Sequence, residues 1–310
     1  MSRNRVIYQS ESLFVSEDSD STLTSEHHEL IRVQSANYGF TINRQDVNQF
    51  GNLARIDSLV LEPPTVNFDF SYYLTDGLNE KALGFNITNT AQFASGFLES
   101  SNGKNFYIVT SDEGQDSTTF ESGDGYSLIG LGNAFLSDYS VDLSVGSLPT
   151  ASVSFEAANI NSQNGLIDGP TEYMSGNSPA IDIAAGVPST DIIGILTPKN
   201  TGQDGTSALR PGDIVLEFPG FQGGITNSGT FVDIEGDGSF HVQSASLSVP
   251  LSRTPIEKVG TKFPFARVVD FPVNASLSVN AVVSEMEANN LAEMIQGCSQ
   301  GGGEVSILMK

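Results

Sequence analysis

The stretch VQSANYGFTIN, from Val33 to Asn43, returns 209 residues later as VQSASLSVPLS, from Val242 to Ser252. A strand-like segment written twice, with mainly its apolar side chains changed, commits the chain to two related structural units. The offset outlasts the strand, since Arg44 aligns with Arg253 and Gly51 with Gly260. A three-residue length difference then sets Ala54-Arg55 against Ala266-Arg267, and the segments from Pro63 and Pro272 resume the original offset. Each copy next enters a short helix-like stretch closed by Gly84 or Gly297. The unit is strand, long charged loop, strand, helix. A third, weaker relative with a shortened middle loop runs from Phe135 to Ile160 and reads as a further hairpin of the same kind.

Alternation within these strands has period two, which separates the two faces of a sheet. Ala36, Tyr38, Phe40 and Ile42 fall on one face in the first copy, continued by Val66, Phe68, Phe70 and Tyr72. The second copy repeats this with Ala245, Leu247, Val249 and Leu251, and with Ala275, Leu277, Val279 and Ala281; the third has Tyr139, Val141, Leu143 and Val145. Opposite them lie small polar residues. Solvated sheet faces ordinarily carry Lys, Arg and Glu for solubility and to blunt edge pairing, yet these faces hold Ser, Asn and Asp with no Lys or Arg. A smooth, neutral to acidic surface suits a lining past which an anion slides. The candidate lining residues are Ser35, Asn37, Thr41, Asn67, Asp69, Ser244, Ser246, Ser248, Asn274, Ser276, Ser278 and Asn280. The bland alternative is a sheet with one side packed and one side wet. Repetition of the surface within one chain points to a ring.

The remaining sequence agrees with a mainly β protein. Its 31 glycines and turn pairs such as Asn164-Gly165, Asp168-Gly169 and Asp237-Gly238 suit hairpins. The clearest helix signal is SEMEANNLAEMIQG, where Ser284 caps, Glu287 closes the capping box and Gly297 stops. The expected fold is an antiparallel β-sandwich or barrel with one or two short helices per repeat unit. Its expected organisation is an N-terminal arm (1–30), a first β domain (31–160), a connecting or inserted region (161–230) and a second repeat unit (231–310). Within the arm, RVIYQ and LFVSE are short alternating stretches suited to adding strands to a neighbour.

Cys298 is the sole cysteine, so no intrachain disulfide or cysteine-based zinc site forms. A formal charge of −23 repels a polyphosphate and excludes tight nucleic-acid binding by counterion release. No signal-peptide core or run of about 18 apolar residues is present, so the expectation is a soluble protein made in the cytoplasm, without a membrane anchor. Catalytic motifs are missing around His27, His28 and His241, with no G-x-S-x-G and no H-E-x-x-H. GLGNAF at Gly130 and SNGKN at Ser101 lack the spacing of phosphate cradles and read as turns. DIEGDG, at Asp233, begins like a calcium loop but places Ser244 where the bidentate carboxylate belongs, and reads as a hairpin turn. The expectation is therefore no enzyme, no cofactor and no metal.

The two units, VQSANYGFTINRQDVNQFGNLARIDSLVLEPPTVNFDFSYY with LTDGLNEKALG and VQSASLSVPLSRTPIEKVGTKFPFARVVDFPVNASLSVNAV with SEMEANNLAEMIQG, resemble the tail tube (major tail) proteins of long-tailed bacteriophages. That fold is shared with the inner tube of the type VI secretion machine. The likeness covers about a third of the chain and is one of pattern. It implies a β-sandwich whose hairpins join neighbours in a continuous barrel around a DNA-sized channel, in rings stacked along a virion tail. The implied partners are further copies in trimeric or hexameric rings, other tail proteins, and double-stranded DNA passing without tight binding. The resemblance also implies that the long loops touch neighbouring subunits, making Arg44, Asp46, Arg55, Asp57, Arg253, Glu257, Lys258 and Arg267 the candidate contacts. This chain is roughly twice the length of the commonest tube proteins, which fits a duplicated tube domain and equally a single tube domain whose two halves are the repeats, with residues 86–230 wholly or partly an insertion. Competing readings are another virion β-protein, such as a completion or baseplate ring or a capsid decoration trimer, and a carbohydrate-binding β-sandwich. The last is disfavoured by the absence of Trp.

Overall fold

A computed structural model describes residues 11–17, 28–60, 65–86, 103–111, 116–117, 126–166, 208–211, 214, 216–218, 232–233, 240–257, 259, 266–283 and 308–309. The strands are β1 (Glu11–Glu17), β2 (His28–Glu29), β3 (Val33–Thr41), β4 (Arg44–Val47), β5 (Asp57–Val60), β6 (Thr65–Tyr73), β7 (Lys104–Ser111), β8 (Tyr126–Ser144), β9 (Thr150–Ala157) and β10 (Asn159–Leu166), with helix α1 (Leu78–Leu83) after β6. They continue as β11 (Leu216–Phe218), β12 (Val232–Asp233), β13 (Phe240–Pro250), β14 (Arg253–Ile256), β15 (Ala266–Val269), β16 (Ser276–Val283) and β17 (Leu308–Met309). The chain is mainly β and its described strand pairings are antiparallel, as the alternation predicts.

One strand organises the sandwich. The first part of β8 pairs with β7 and β10, whereas its second part pairs with β9 and β13. Two layers result, ordered β2-β1-β7-β8-β10 and β3-β6-β9-β8-β13-β16. The switch falls at Gly132-Asn133, where Asn133 adopts φ 55° and donates its backbone N–H to Asn105 Oδ1 at 3.0 Å. Asparagine tolerates this left-handed geometry better than most residues. GLGNAF is therefore not a turn between elements, because the strand bends there while remaining paired on both sides.

Apolar faces of the two layers meet at an aromatic centre. Phe106 of β7 lies 5.0 Å from Phe68, 5.7 Å from Phe70 and 4.6 Å from Phe155, ring centre to ring centre. Leu13 and Val15 of β1 join the same core. The LFVSE stretch thus pairs with β7 of its own chain, with Leu13 opposite Ile108 and Val15 opposite Phe106. Leu13, Phe14 and Val15 are all buried, and this apolar run is satisfied inside the fold, not on a neighbour. RVIYQ and the SEMEANNLAEMIQG helix signal lie outside the described residues.

Helix α1 closes the apolar side of the larger layer. Gly77 and Gly84 flank it at φ 82° and 100°, which fits the glycine stop expected at Gly84. Asn79 brackets the backbone of Ile31, accepting from its N–H at 3.0 Å and donating to its carbonyl at 2.8 Å. Glu80 is buried, and its Oε1 accepts from the Tyr72 hydroxyl at 2.9 Å and the Tyr139 hydroxyl at 3.4 Å. Burial raises the Glu80 carboxyl above its ordinary range, and the hydrogen bonds it receives offset part of that shift. A carboxyl raised on folding binds its proton more tightly in the folded state. Its contribution is therefore most favourable below the unfolded value and is lost as pH rises through the raised one. Glu80→Gln, which keeps an acceptor and removes the charge, is expected to match or exceed wild-type stability at neutral pH. It should also lose the gain that the wild type shows on mild acidification. Urea titrations in neutral and mildly acidic buffer check this, and identical pH dependence in the two proteins would contradict it.

Candidate assembly face

The three related hairpins share the larger layer side by side, β3/β6 at one end, β9/β8 in the middle and β13/β16 at the other. Their registers put one serine from each strand into a single row: Ser35, Ser71, Ser152, Ser140, Ser248 and Ser276. The Ser35 and Ser71 hydroxyls are 2.7 Å apart, and the Ser140 hydroxyl donates to the Ser152 carbonyl at 3.5 Å. The adjacent row on one side holds Asn37, Asp69, Ser154 and Asp138, followed by Gly39, Asn67, Glu156 and Phe135. On the other side come Thr150, Asp142, Ser246 and Ser278, then Ser144, Ser244 and Asn280. The six strands contain no Lys or Arg, and Asp69, Asp138 and Asp142 make the face acidic, with Glu156 at its margin ion-paired to Arg267. Partial burial raises the Asp138 carboxyl above its ordinary range.

Pairing thus brings the candidate lining residues of β3, β6, β13 and β16 onto one face. Asn274 is exposed in the segment before β16 and Thr41 stands at the end of β3, opposite Thr65. Sequence reasoning left out Asp138, Thr150, Ser152, Ser154 and Glu156. The alternation of TASVSFEA carries the signal for the β9 members, since Ala151, Val153 and Phe155 are buried and Ser152 and Glu156 exposed.

Each long loop is a two-stranded arm, β4/β5 or β14/β15. Arg44 pairs with Val60 and Arg253 with Val269, so both arms keep the 209-residue offset throughout. Ser58 and Arg267 are counterparts, because Ser58 faces Asp46 and Arg267 faces Pro255. This corrects the match of Ala54-Arg55 with Ala266-Arg267: no length difference separates the arms, and the shared Ala-Arg pair occupies different places in them. The hairpins behind the arms correspond equally closely. Ser35 faces Ser71 where Ser244 faces Asn280, and a register shift falls between Val33 and Ser35 as it does between Val242 and Ser244.

The surroundings of the two arms differ. β4 and β5 stand almost wholly in solvent, with Phe50 and Leu53 fully exposed near the tip. Arg55 ion-pairs with Asp46 at 2.9 Å, and Asp57 accepts the Ser58 N–H at 2.7 Å. The β14/β15 arm folds onto β8 and β9. Arg253 and Arg267 lie over the Phe135 ring at 5.1 and 5.6 Å, and Arg267 reaches Glu156 at 3.2 Å. Burial lowers both guanidinium pKa values; for Arg253 the nearby Arg267 charge adds to this, while for Arg267 the Glu156 carboxylate opposes it. Arg44 and Glu257 are exposed, and Lys258 lies outside the described residues. Phe135 and Glu156 are the contact residues that the sequence did not single out.

No protein-family model and no curated protein matches the chain. Among solved structures it is similar to a chain of the six-fold symmetrised anti-feeding prophage baseplate, with 11% identity over 53% of this chain and 97% of that one, at a TM-score of 0.32. A chain of the anti-feeding prophage tube-terminating cap has 14% identity over 53% of this chain and 95% of that one, at 0.33. The SPP1 tail tube structure has 13% identity over 60% of this chain and 99% of that one, at 0.31. Among the described residues no helix is long and apolar enough to cross a membrane.

Proposed function

We propose that this chain is a structural protein of a virion tail, a tube subunit whose copies close into rings with the serine-rich face lining a channel for DNA. The observation that carries this reading is a continuous face of small polar residues across six strands that themselves contain no Lys or Arg, with Arg253 and Arg267 of the β14/β15 arm reaching only its margin at Phe135 and Glu156. Short hydroxyls offer a duplex no positive charge to grip, and Asp69, Asp138 and Asp142 repel its phosphates, while Glu156 at the margin is taken up by Arg267. The sheet also has ends that suit closure. Six alternating strands leave β3 and β16 running in opposite directions at the two edges, so a second copy placed by rotation about the ring axis meets the first in antiparallel pairing. Closure removes edges that would otherwise invite aggregation. Three copies contribute eighteen strands, a size at which barrels leave an open channel, and at about 4.8 Å per strand and about 36° of tilt the backbone ring is about 34 Å across.

Ser140→Arg combined with Ser152→Arg tests the lining. Both positions lie mid-sheet on the polar face, so assembly should persist while DNA transit slows, because two added guanidiniums per subunit bind phosphate. Particles that form normally and release DNA at the wild-type rate would contradict the channel reading. Failure of the double variant to fold would place the face in a core and would do the same.

A further inference from the structure

The repeat carries within one chain the junction that its own copies would make, and the register of that junction follows from it. The serine row meets β3 at Ser35 but β13 at Ser248, whose first-unit counterpart is Gly39. Four strands therefore separate equivalent strands that are staggered by four residues. One residue per strand is the stagger of a closed barrel whose shear equals its strand number, with strands tilted about 36°.

Burial of counterparts says which edge is incomplete. Phe40 is 60% exposed but its counterpart Val249 is 7%; Ile42 is 41% and Leu251 is 1%; Val60 is 52% and Val269 is 5%. The difference lies in the neighbour, for β13 is flanked by β8 and its arm rests on Phe135, whereas along residues 35–41 no described strand pairs with the outer side of β3. The first unit thus has apolar side chains whose twins are already covered.

We infer that the β3 edge is covered by β16 of a second copy, with Ser276 beside Thr41 of that copy, and that the β4/β5 arm rests on the same neighbour. The inference builds on the ring reading above. Continuing the stagger for two strands beyond β13 advances the row from Gly39-equivalent to Thr41. Antiparallel pairing then sets Leu277 beside Phe40, Ser278 beside Gly39, Val279 beside Tyr38 and Asn280 beside Asn37. Apolar then meets apolar on one face and polar meets polar on the other, as the even advance from Ser35 to Thr41 requires. Tyr38, Phe40 and Val279 are all exposed in the single chain.

Cysteine pairing tests this in the full chain. In a Cys298→Ser background, Thr41→Cys with Ser276→Cys is compared with Ser35→Cys with Ser276→Cys, the register without stagger. Within one chain the five strand spacings between β3 and β16 alone amount to roughly 24 Å, beyond the ~4.4 to 6.8 Å Cα separation of a disulfide. Any bond therefore joins copies. Mild oxidation of assembled protein is expected to convert most of the first variant into covalent multimers and to leave the second monomeric on non-reducing gels. Assemblies that form but link only through the second pair, or through neither, overturn the register and leave the ring standing. A protein that never assembles overturns both.

Discussion

Phe106→Ala is expected to cost about 3 to 5 kcal/mol of protomer stability, the range for removing a fully buried aromatic side chain and leaving a cavity. Phe106 is the ring from the smaller layer that touches Phe68, Phe70 and Phe155 of the larger one. Edge-on and tilted contacts among such rings add to the burial of their area. Neighbours on paired strands cannot collapse into the space without breaking ladder hydrogen bonds, so relaxation is limited. Urea unfolding followed at a concentration below assembly reads the loss, which should be several times that of Phe271→Ala, whose side chain is largely exposed. A loss under about 1 kcal/mol would mean that the layers are joined elsewhere.

Phe40→Asp is expected to abolish assembly at concentrations where the wild type assembles, while leaving the protomer nearly as stable as before. In the single chain Phe40 is more than half exposed, and surface substitutions of that kind change stability by about 0.5 kcal/mol or less. At the inferred junction the same side chain lies against Leu277 of the neighbour. Burying a phenylalanine contributes about 1.5 to 3 kcal/mol, equivalent to roughly 10-fold to 150-fold in each junction's association constant. A carboxylate set into an apolar contact adds its own desolvation cost. Because every junction of a closed ring contains the substitution, the losses multiply. Sedimentation at graded concentrations and a parallel urea titration check both halves. Assembly at the wild-type threshold would count against burial of Phe40 between copies.

What the sequence disclosed and what it hid follow one division. Period-two alternation is local, so the polar positions from Ser35 to Asn280 could be sorted by face without knowing any partner strand. The 209-residue offset likewise foretold paired hairpins that share even a register shift at Val33/Ser35 and Val242/Ser244. The arm tips have no such periodicity, and there the shared Ala-Arg dipeptide drew the alignment away from the pairing of Ser58 with Arg267 as counterparts. Long-range partners were equally out of reach. Leu13 to Glu17 reads as a strand in isolation, but only the fold shows β7 beside it. Arg267 meets Glu156 across 111 residues of chain, a contact that no local pattern encodes. The length of β8 was obscured because Gly130, Gly132 and Asn133 signal a turn, whereas pairing on both flanks carries the strand through the bend.

The claim that this chain closes a channel with its serine-rich face is tested most directly by native mass determination of the purified wild type, with the same particles imaged end-on as concentration is raised. The account predicts a discrete closed particle of three chains with an open centre. A single-chain mass at every concentration and salt condition, or a multimer without a central opening, would contradict it.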